Sequence, residues 1–449
     1  MRGSKQVDIL NGPIYKQMVL FFIPIIIGSI FQQVYNTTDA IIVGNFVGKQ
    51  ALAAVGGTPA VLYNLFTGFA IGLSSGASVI ISQYFGAHES EKMSKAVHTS
   101  IWFSIVLGIV MMIFIELLAQ SILSALQVPA DIFADSMLYL RIAFVGLVPS
   151  LIYNMGTAVL RAVGDTKRPL YFLIVSCILN IFLDIYFVLM LRMGVAGVAI
   201  ATVIAQIISA CLVMYSLTHT DLDYQVRVRE IQNDNEMLLQ IVKIGIPAGV
   251  QSVLYSLSNL VIQSSINSLG TDSVAAWTAY GKIDSLFWMM IGAFGVTITT
   301  FAAQSFGAKK YDRVRESIKA AFVITFISTI LLSIVLFIFG ENLYYLFTTD
   351  QVVIKIGTDI LKFLVPFYVT FVPIEIISGA LRGMGDAFYP TVITTIGVCA
   401  LRILWVVVIF TAYPTLLNVL SCYPITWSCT SILFIIYYFW KNPLRKAMH

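Results

Sequence analysis

The chain has 449 residues, of which 58% are hydrophobic and only 11% charged, where soluble proteins carry about 45–50% and about 25%. Its mean hydropathy is +0.88 and its formal net charge +4. A soluble enzyme, a disordered chain, a disulfide-stapled secreted domain and a nucleic-acid-binding module are excluded, leaving an all-α integral membrane protein.

Apolar stretches of spanning length fall near 15–43, 52–81, 96–118, 136–160, 168–191, 195–217, 238–268, 274–303, 317–340, 357–381, 387–413 and 415–440. About twelve transmembrane helices are predicted. Arg2 and Lys5 precede the first stretch as in a signal peptide. That stretch is too long, however, and carries Gln32, Gln33, Asn36 and Asp39, so it reads as a retained span. The longest polar run covers 218–237 and divides the chain into an N-terminal six-helix lobe, 1–217, and a C-terminal one, 238–449.

With the N-terminus in the cytoplasm, 20 of the 27 Lys and Arg fall on the cytoplasmic side, among them Lys92, Lys95, Lys309, Lys310, Arg313, Arg445 and Lys446. The positive-inside rule then places both termini and the linker there. The five cysteines are scattered, with no CxxC or Cys/His cluster, so neither a metal framework nor a disulfide framework is expected.

The halves repeat each other. SQYFGAHESEK (82–92) aligns with AQSFGAKKYDR (303–313), and VLRAVGDTKRP (159–169) with ALRGMGDAFYP (380–390), both at an offset of 221 residues. Pro24 matches Pro247 at 223. Six spans per unit is an even number, so both units have one orientation, related by a pseudo-two-fold axis along the membrane normal.

The repeated FGA and LRxxGD, with Pro24, Asp39 and the run Val43–Gly48, resemble the multidrug and toxic compound extrusion (MATE) transporters over essentially the whole chain. The resemblance implies two V-shaped lobes and ion-coupled antiport, with H⁺ or Na⁺ entering as an organic compound leaves.

Charge within the bilayer costs roughly 2.5–3.5 kcal/mol per residue, so each buried ionisable group needs a reason. Gln32, Asn36 and Asp39 share a helix face in the first span; Asn180 and Asp184 share one in the fifth, Thr202 and Gln206 one in the sixth. Asn154 lies in the fourth. Two carboxylates with amide and hydroxyl oxygens suit a hard monovalent cation, or a proton shared between acids. The resemblance implies that Asp39, Asn180, Asp184 and Thr202 occupy the N-lobe cation or proton site, with Asn154 beside it; these four are the Na⁺ ligands if Na⁺ is the ion. At the repeat offsets Asp39 becomes Ile262, Asn180 becomes Leu401 and Asp184 becomes Trp405. Coupling is therefore expected to be asymmetric.

In the second half, Gln251, Tyr255, Asn259 and Gln263 form a stripe on the seventh span. Tyr255, Asn259 and Gln263, with Gln32, Asn36 and Glu375, are the candidate substrate-cavity residues. Glu375 aligns with Asn154 and is a possible second acid, although the seventh span lacks the acid that some MATE subgroups place there. Arg402 is a potential partner for Glu375. Lys282 and Asp284, at i and i+2, do not face the same way.

The leading expectation is a secondary active antiporter exporting organic, often cationic and amphipathic, compounds in exchange for H⁺ or Na⁺ by alternating access. A lipid-linked precursor flippase of the same superfamily is the alternative, with Lys282 and Arg402 as its few basic residues. A membrane enzyme would need a nucleophile or metal set at depth; HExxH is absent, and the run Gly72–Gly76, which spells GxSxG, reads as a small-residue face for close helix packing. No cofactor and no nucleic-acid partner are expected. The partners are small organic substrates and the bilayer, the location is a plasma (prokaryotic inner) membrane, and the functional state is a monomer.

Overall fold

The computed structural model describes residues 7–441; Arg2, Lys5, Arg445 and Lys446, used above for orientation, lie outside them. Among the described residues the regular secondary structure is helix, with no strand. The first half runs α1 (Ile14–Ile42), α2 (Lys49–Gly56), α3 (Thr58–Gly86), α4 (Ser90–Ala125), α5 (Ala130–Val145), α6 (Leu147–Ala162), α7 (Lys167–Asp184) and α8 (Gly194–Thr218). The second runs α9 (Asn235–Asn267), α10 (Thr271–Gly307), α11 (Tyr311–Tyr344), α12 (Gln351–Leu364), α13 (Val372–Gly383), α14 (Phe388–Thr394), α15 (Leu401–Trp405) and α16 (Leu416–Lys441). Among the described residues, eleven stretches are long and apolar enough to cross a bilayer; the pair α5–α6, bent by 40°, makes a twelfth. The bend falls at Gly146, where a Cβ would overlap Gln206 of α8. These twelve match the apolar stretches read from the sequence.

The repeated motifs have a common structural use. In the FGA motif, His88 takes φ +57° and donates its N–H to Phe85 O at 3.2 Å, while Glu89 N–H reaches Tyr84 O at 3.0 Å. In its copy, Lys309 takes φ +55°, with bonds from Lys309 to Phe306 at 3.0 Å and from Lys310 to Ser305 at 2.9 Å. The LRxxGD copies do the same through Gly164 (φ +89°) and Gly385 (φ +92°). All four are left-handed helix caps that satisfy the last carbonyls of a span. The following aspartate then starts the next helix. Asp165 accepts the N–H groups of Lys167 and Arg168, each at 3.1 Å, and pairs with the Arg168 guanidinium. Arg168 continues to Ser216 and Tyr224, both at 2.9 Å. Asp386 accepts the Tyr437 hydroxyl at 2.7 Å.

Contacts gather the chain into two units. The first holds residues 7–8 and Ile23–Gly249; the second holds Ile9–Phe22 and residues 250–441. Helix α1 thus changes unit beside Pro24, and α9 beside Pro247. Physical anchors explain the exchange. Phe21 and Phe22 pack on Phe301 and Phe294 of α10, the latter pair stacked at 4.0 Å. The start of α9 lies directly on α3: a Cβ on Gly72 would overlap the Gly249 backbone, and one on Gly76 the backbone of Ile241 and Gly245. Two GxxxG faces therefore cross, the small-residue contact that lets helix backbones approach in a bilayer.

The linker is folded within the first unit. The His98 ring accepts Arg227 N–H at 3.0 Å and donates to Ser94 O at 2.7 Å, and Ser90 donates to Asp223 at 2.6 Å. By contrast α4 and α11 turn Val110, Leu117, Leu331 and Ile338 outward, as lipid-facing helices do. Arg141 makes an ion pair with Glu116 at 3.2 Å.

Candidate functional site

In the first unit the site forms where α1, α7 and α8 converge. Asp39 stands one turn before the end of α1, which closes in a π-helical turn, Val43–Val47. Asp184 is the last residue of α7, and a second π turn, Ile185–Met190, follows it. An apolar cluster of Ile42, Val43, Ala51, Val55, Val188, Val195 and Val198 locks these turns to α2 and α8. That packing fixes the two acids. The Asp39 and Asp184 carboxyls lie within reach of each other, and Thr202 lies within reach of both Asp39 and Tyr35.

The pairing leaves several oxygens without donors. Asn180 and Asp184 are fully buried and Asp39 half-buried. Among the described residues no group hydrogen-bonds Asp39 Oδ1, either oxygen of Asp184, or the side-chain amide of Asn180. Buried polar atoms are normally paired. A set of four oxygen atoms around two carboxylates fits a monovalent cation, or a proton held between the acids.

The sequence placed Asp39, Asn180, Asp184 and Thr202 in this site, and the structure brings them together. It also brings residues that the polar-stripe reading passed over. Tyr35 and Tyr139 flank the acids, and Gln206 donates to the Tyr63 hydroxyl at 2.8 Å. Tyrosines look like ordinary interfacial aromatics in sequence; only their convergence marks them. Asn154 is different: its amide donates within its own helix to Ser150 O at 2.9 Å. Gln32 and Asn36 are exposed on α1.

The second unit carries another polar set. Asp284 of α10 accepts the Tyr368 hydroxyl at 2.5 Å, the Trp288 indole N–H at 2.7 Å and the Tyr280 hydroxyl at 3.1 Å. Phe287, Phe371 and Trp427 pack on Tyr368 and Trp288, and Tyr423 packs on Trp427. Glu375 sits 3.8 Å from Arg382, in space left by Gly295, where a Cβ would overlap its carboxyl. Arg402 does not pair with Glu375; its Nη1 donates to Asn259 Oδ1 at 2.9 Å and its guanidinium lies 4.4 Å from the centre of the Tyr423 ring. The α9 stripe accordingly turns toward α14 and α15: Gln251 accepts the Thr391 hydroxyl at 3.4 Å, one turn before Tyr255 and two before Asn259. Gln263 donates to Asn267 at 2.8 Å.

The MatE family model matches this chain twice, over residues 24–186 and 247–408. The chain belongs to the MatE family. Each match covers one copy of the internal repeat. Among curated relatives, a probable multidrug resistance protein of Bacillus subtilis (strain 168), YoeA, is 30% identical over 96% of this chain and 95% of its own length. The multidrug export protein MepA of Staphylococcus aureus (strain N315) is 25% identical over 78% of each chain. The fold superposes on an outward-facing multidrug resistance MATE family transporter with a TM-score of 0.91 at 24% identity, covering 99% of this chain and 100% of the other. This MatE protein is a multi-pass membrane transporter and not an enzyme.

Proposed function

We propose that the protein is a secondary antiporter that exports small organic compounds, with amphipathic cations as the principal class, in exchange for H⁺ or Na⁺. Family membership and the names of the relatives support export of many compounds. The observation that carries ion coupling is the facing pair Asp39–Asp184, three of whose four oxygens are buried without a donor among the described residues. Two such carboxylates repel unless a positive charge lies between them. Asn180 and Thr202 add the oxygens a Na⁺ ion requires, and a proton between the acids serves the same electrostatic purpose. The ion enters on one side, neutralises the pair, and leaves on the other as the helices rearrange. In this reading the six-helix lobes alternate access, both termini and the linker face the cytoplasm, and the protein works as a monomer in a prokaryotic plasma membrane. Gln32 and Asn36 line the substrate path in the first half; Tyr255, Asn259, Gln263 and Glu375 do so in the second.

The test is efflux from proteoliposomes loaded with a fluorescent organic cation, driven by a pH gradient or a Na⁺ gradient applied separately. One gradient is expected to drive efflux in wild type and to fail in Asp39→Asn. Undiminished coupling in that variant would sink the assignment of the pair.

A further inference from the structure

Arg402 is the only member of α15 with a buried side chain, 2% exposed, and α15 lies between two π-helical turns, Thr395–Ala400 and Val406–Phe410. Such turns occur often at functional positions because they re-aim a side chain. The guanidinium is always charged and offers five donors in a planar fork. One of them is used on Asn259, and one face is covered by Tyr423. The buried Nε–H has no acceptor among the described residues. The acids of this unit that could have neutralised it are engaged elsewhere, Glu375 with Arg382 and Asp284 with three aromatic donors. An amide oxygen and a tyrosine ring supply partial negative charge but no counter-ion. A mid-span arginine without a counter-ion among the described residues is unusual, because charge at membrane depth is normally paired or functional.

The repeat sharpens the contrast. The helix of the first half that corresponds to α14–α15 is α7, and it carries Asn180 and Asp184. In the second half the same helix carries a cation. Asn259, which accepts from this cation, is itself exposed on α9.

We propose that Arg402 is a carboxylate-recognition point, taking the acid group of an anionic or zwitterionic organic compound at its unpaired Nε–H. The substrate range would then include acids as well as the cations of the preceding section, and in that respect the inference rests on the export reading.

The probes are tetramethylrhodamine, which has a free carboxylate, and its methyl ester, which does not. Binding of each to the full-length protein in lipid nanodiscs is followed by fluorescence anisotropy. Wild type is expected to prefer the acid by about tenfold, the effect of one charge-assisted fork contact, and Arg402→Gln to bring the ratio to about one. An unchanged ratio in Arg402→Gln, or no preference in wild type, overturns the proposal. Should Arg402→Gln fail to fold, acetate competition on wild type decides: acetate is expected to displace the acid dye and not the ester. Equal displacement of both dyes, displacement of neither, or chloride acting as well as acetate overturns carboxylate recognition. Gradient-driven efflux of the ester keeps the two readings apart. Efflux with a wild-type ratio of one removes this inference alone; a tenfold ratio without efflux of either dye removes the export reading alone.

Discussion

Asp39 and Asp184 face each other from the ends of α1 and α7, and no described donor hydrogen-bonds either oxygen of Asp184. The pair is isosteric with an Asp–Asn pair, in which the amide donates to the remaining carboxylate. Asp184→Asn is therefore expected to fold with a thermal midpoint at or above wild type. Its gradient-driven efflux should fall about tenfold or more, as when a charge carrier is removed from a membrane site. Thermal unfolding in detergent and proteoliposome efflux check the two halves of that statement. A lowered midpoint with normal efflux would make the residue structural.

A cation that binds the folded pair must also stabilise it, by about 2.7 kcal/mol at a hundred times its dissociation constant. Replacing choline chloride with NaCl at fixed ionic strength is expected to raise the wild-type midpoint if Na⁺ is carried. The rise should vanish in Asp39→Asn. A rise of equal size in that variant would place Na⁺ elsewhere.

The spans and this acid pair were legible because bilayer physics writes itself plainly into sequence. Long apolar runs have few alternatives, and carboxylates within them stand out. The structural use of the repeated motifs was not legible. His88 and Lys309 adopt the left-handed cap conformation without being glycine, so the usual residue signal is missing. Tyr35, Tyr63 and Tyr139 were hidden for another reason: an aromatic in a span is ordinary, and only tertiary convergence distinguishes these three. Asp284 was read mainly against its neighbour Lys282, whereas its partners come from one turn away on each side and from Tyr368, far along the chain.

Gly76 and Gly245 meet backbone to backbone, with 2.7 Å between the position of a Gly76 Cβ and the Gly245 nitrogen. Backbone cannot rotate away as a side chain can. Gly76→Ala is expected to destabilise the protein by about 1–3 kcal/mol, the range for overpacking. Gly281 has open space at its Cβ and an ordinary helical backbone, so Gly281→Ala should be neutral or slightly stabilising. Thermal midpoints of the two variants, measured side by side, test the crossing; equal shifts would refute it.

Asp165 and Asp386 occupy the same place in the repeat but carry different numbers of bonds. Asp165 accepts two backbone N–H groups and holds Arg168, which in turn holds Ser216 and Tyr224. Asp386 accepts Tyr437 at 2.7 Å and only a long 3.4 Å contact from Tyr389 N–H. Loss of a helix cap costs about 0.5–2 kcal/mol, and an orphaned charged partner adds to it. Asp165→Ala should be the more destabilising substitution, by at least about 1 kcal/mol. Denaturation of the two alanine variants reads the order directly, and the reverse order would mean the Arg168 network contributes little.

Asp284 differs from Asp39 in having its acceptor capacity filled by protein. Tyr368, Tyr280 and Trp288 all donate to it, so it has little left to offer a transported ion. Asp284→Leu strands three donors in an aromatic cluster and should cost about 3 kcal/mol or more, at about 1 kcal/mol or above for each stranded group. Asp284→Asn keeps one oxygen for the tyrosines but turns an amide N–H toward the Trp288 N–H, a loss of about 1–2 kcal/mol. Its coupled efflux is expected to stay within about twofold of wild type, a change in barrier below about 0.5 kcal/mol. Near-ultraviolet circular dichroism should show the disturbed Trp288 environment in both variants. Normal folding with abolished coupling in Asp284→Asn would instead move ion coupling into the second unit, because packing alone cannot explain a loss confined to transport.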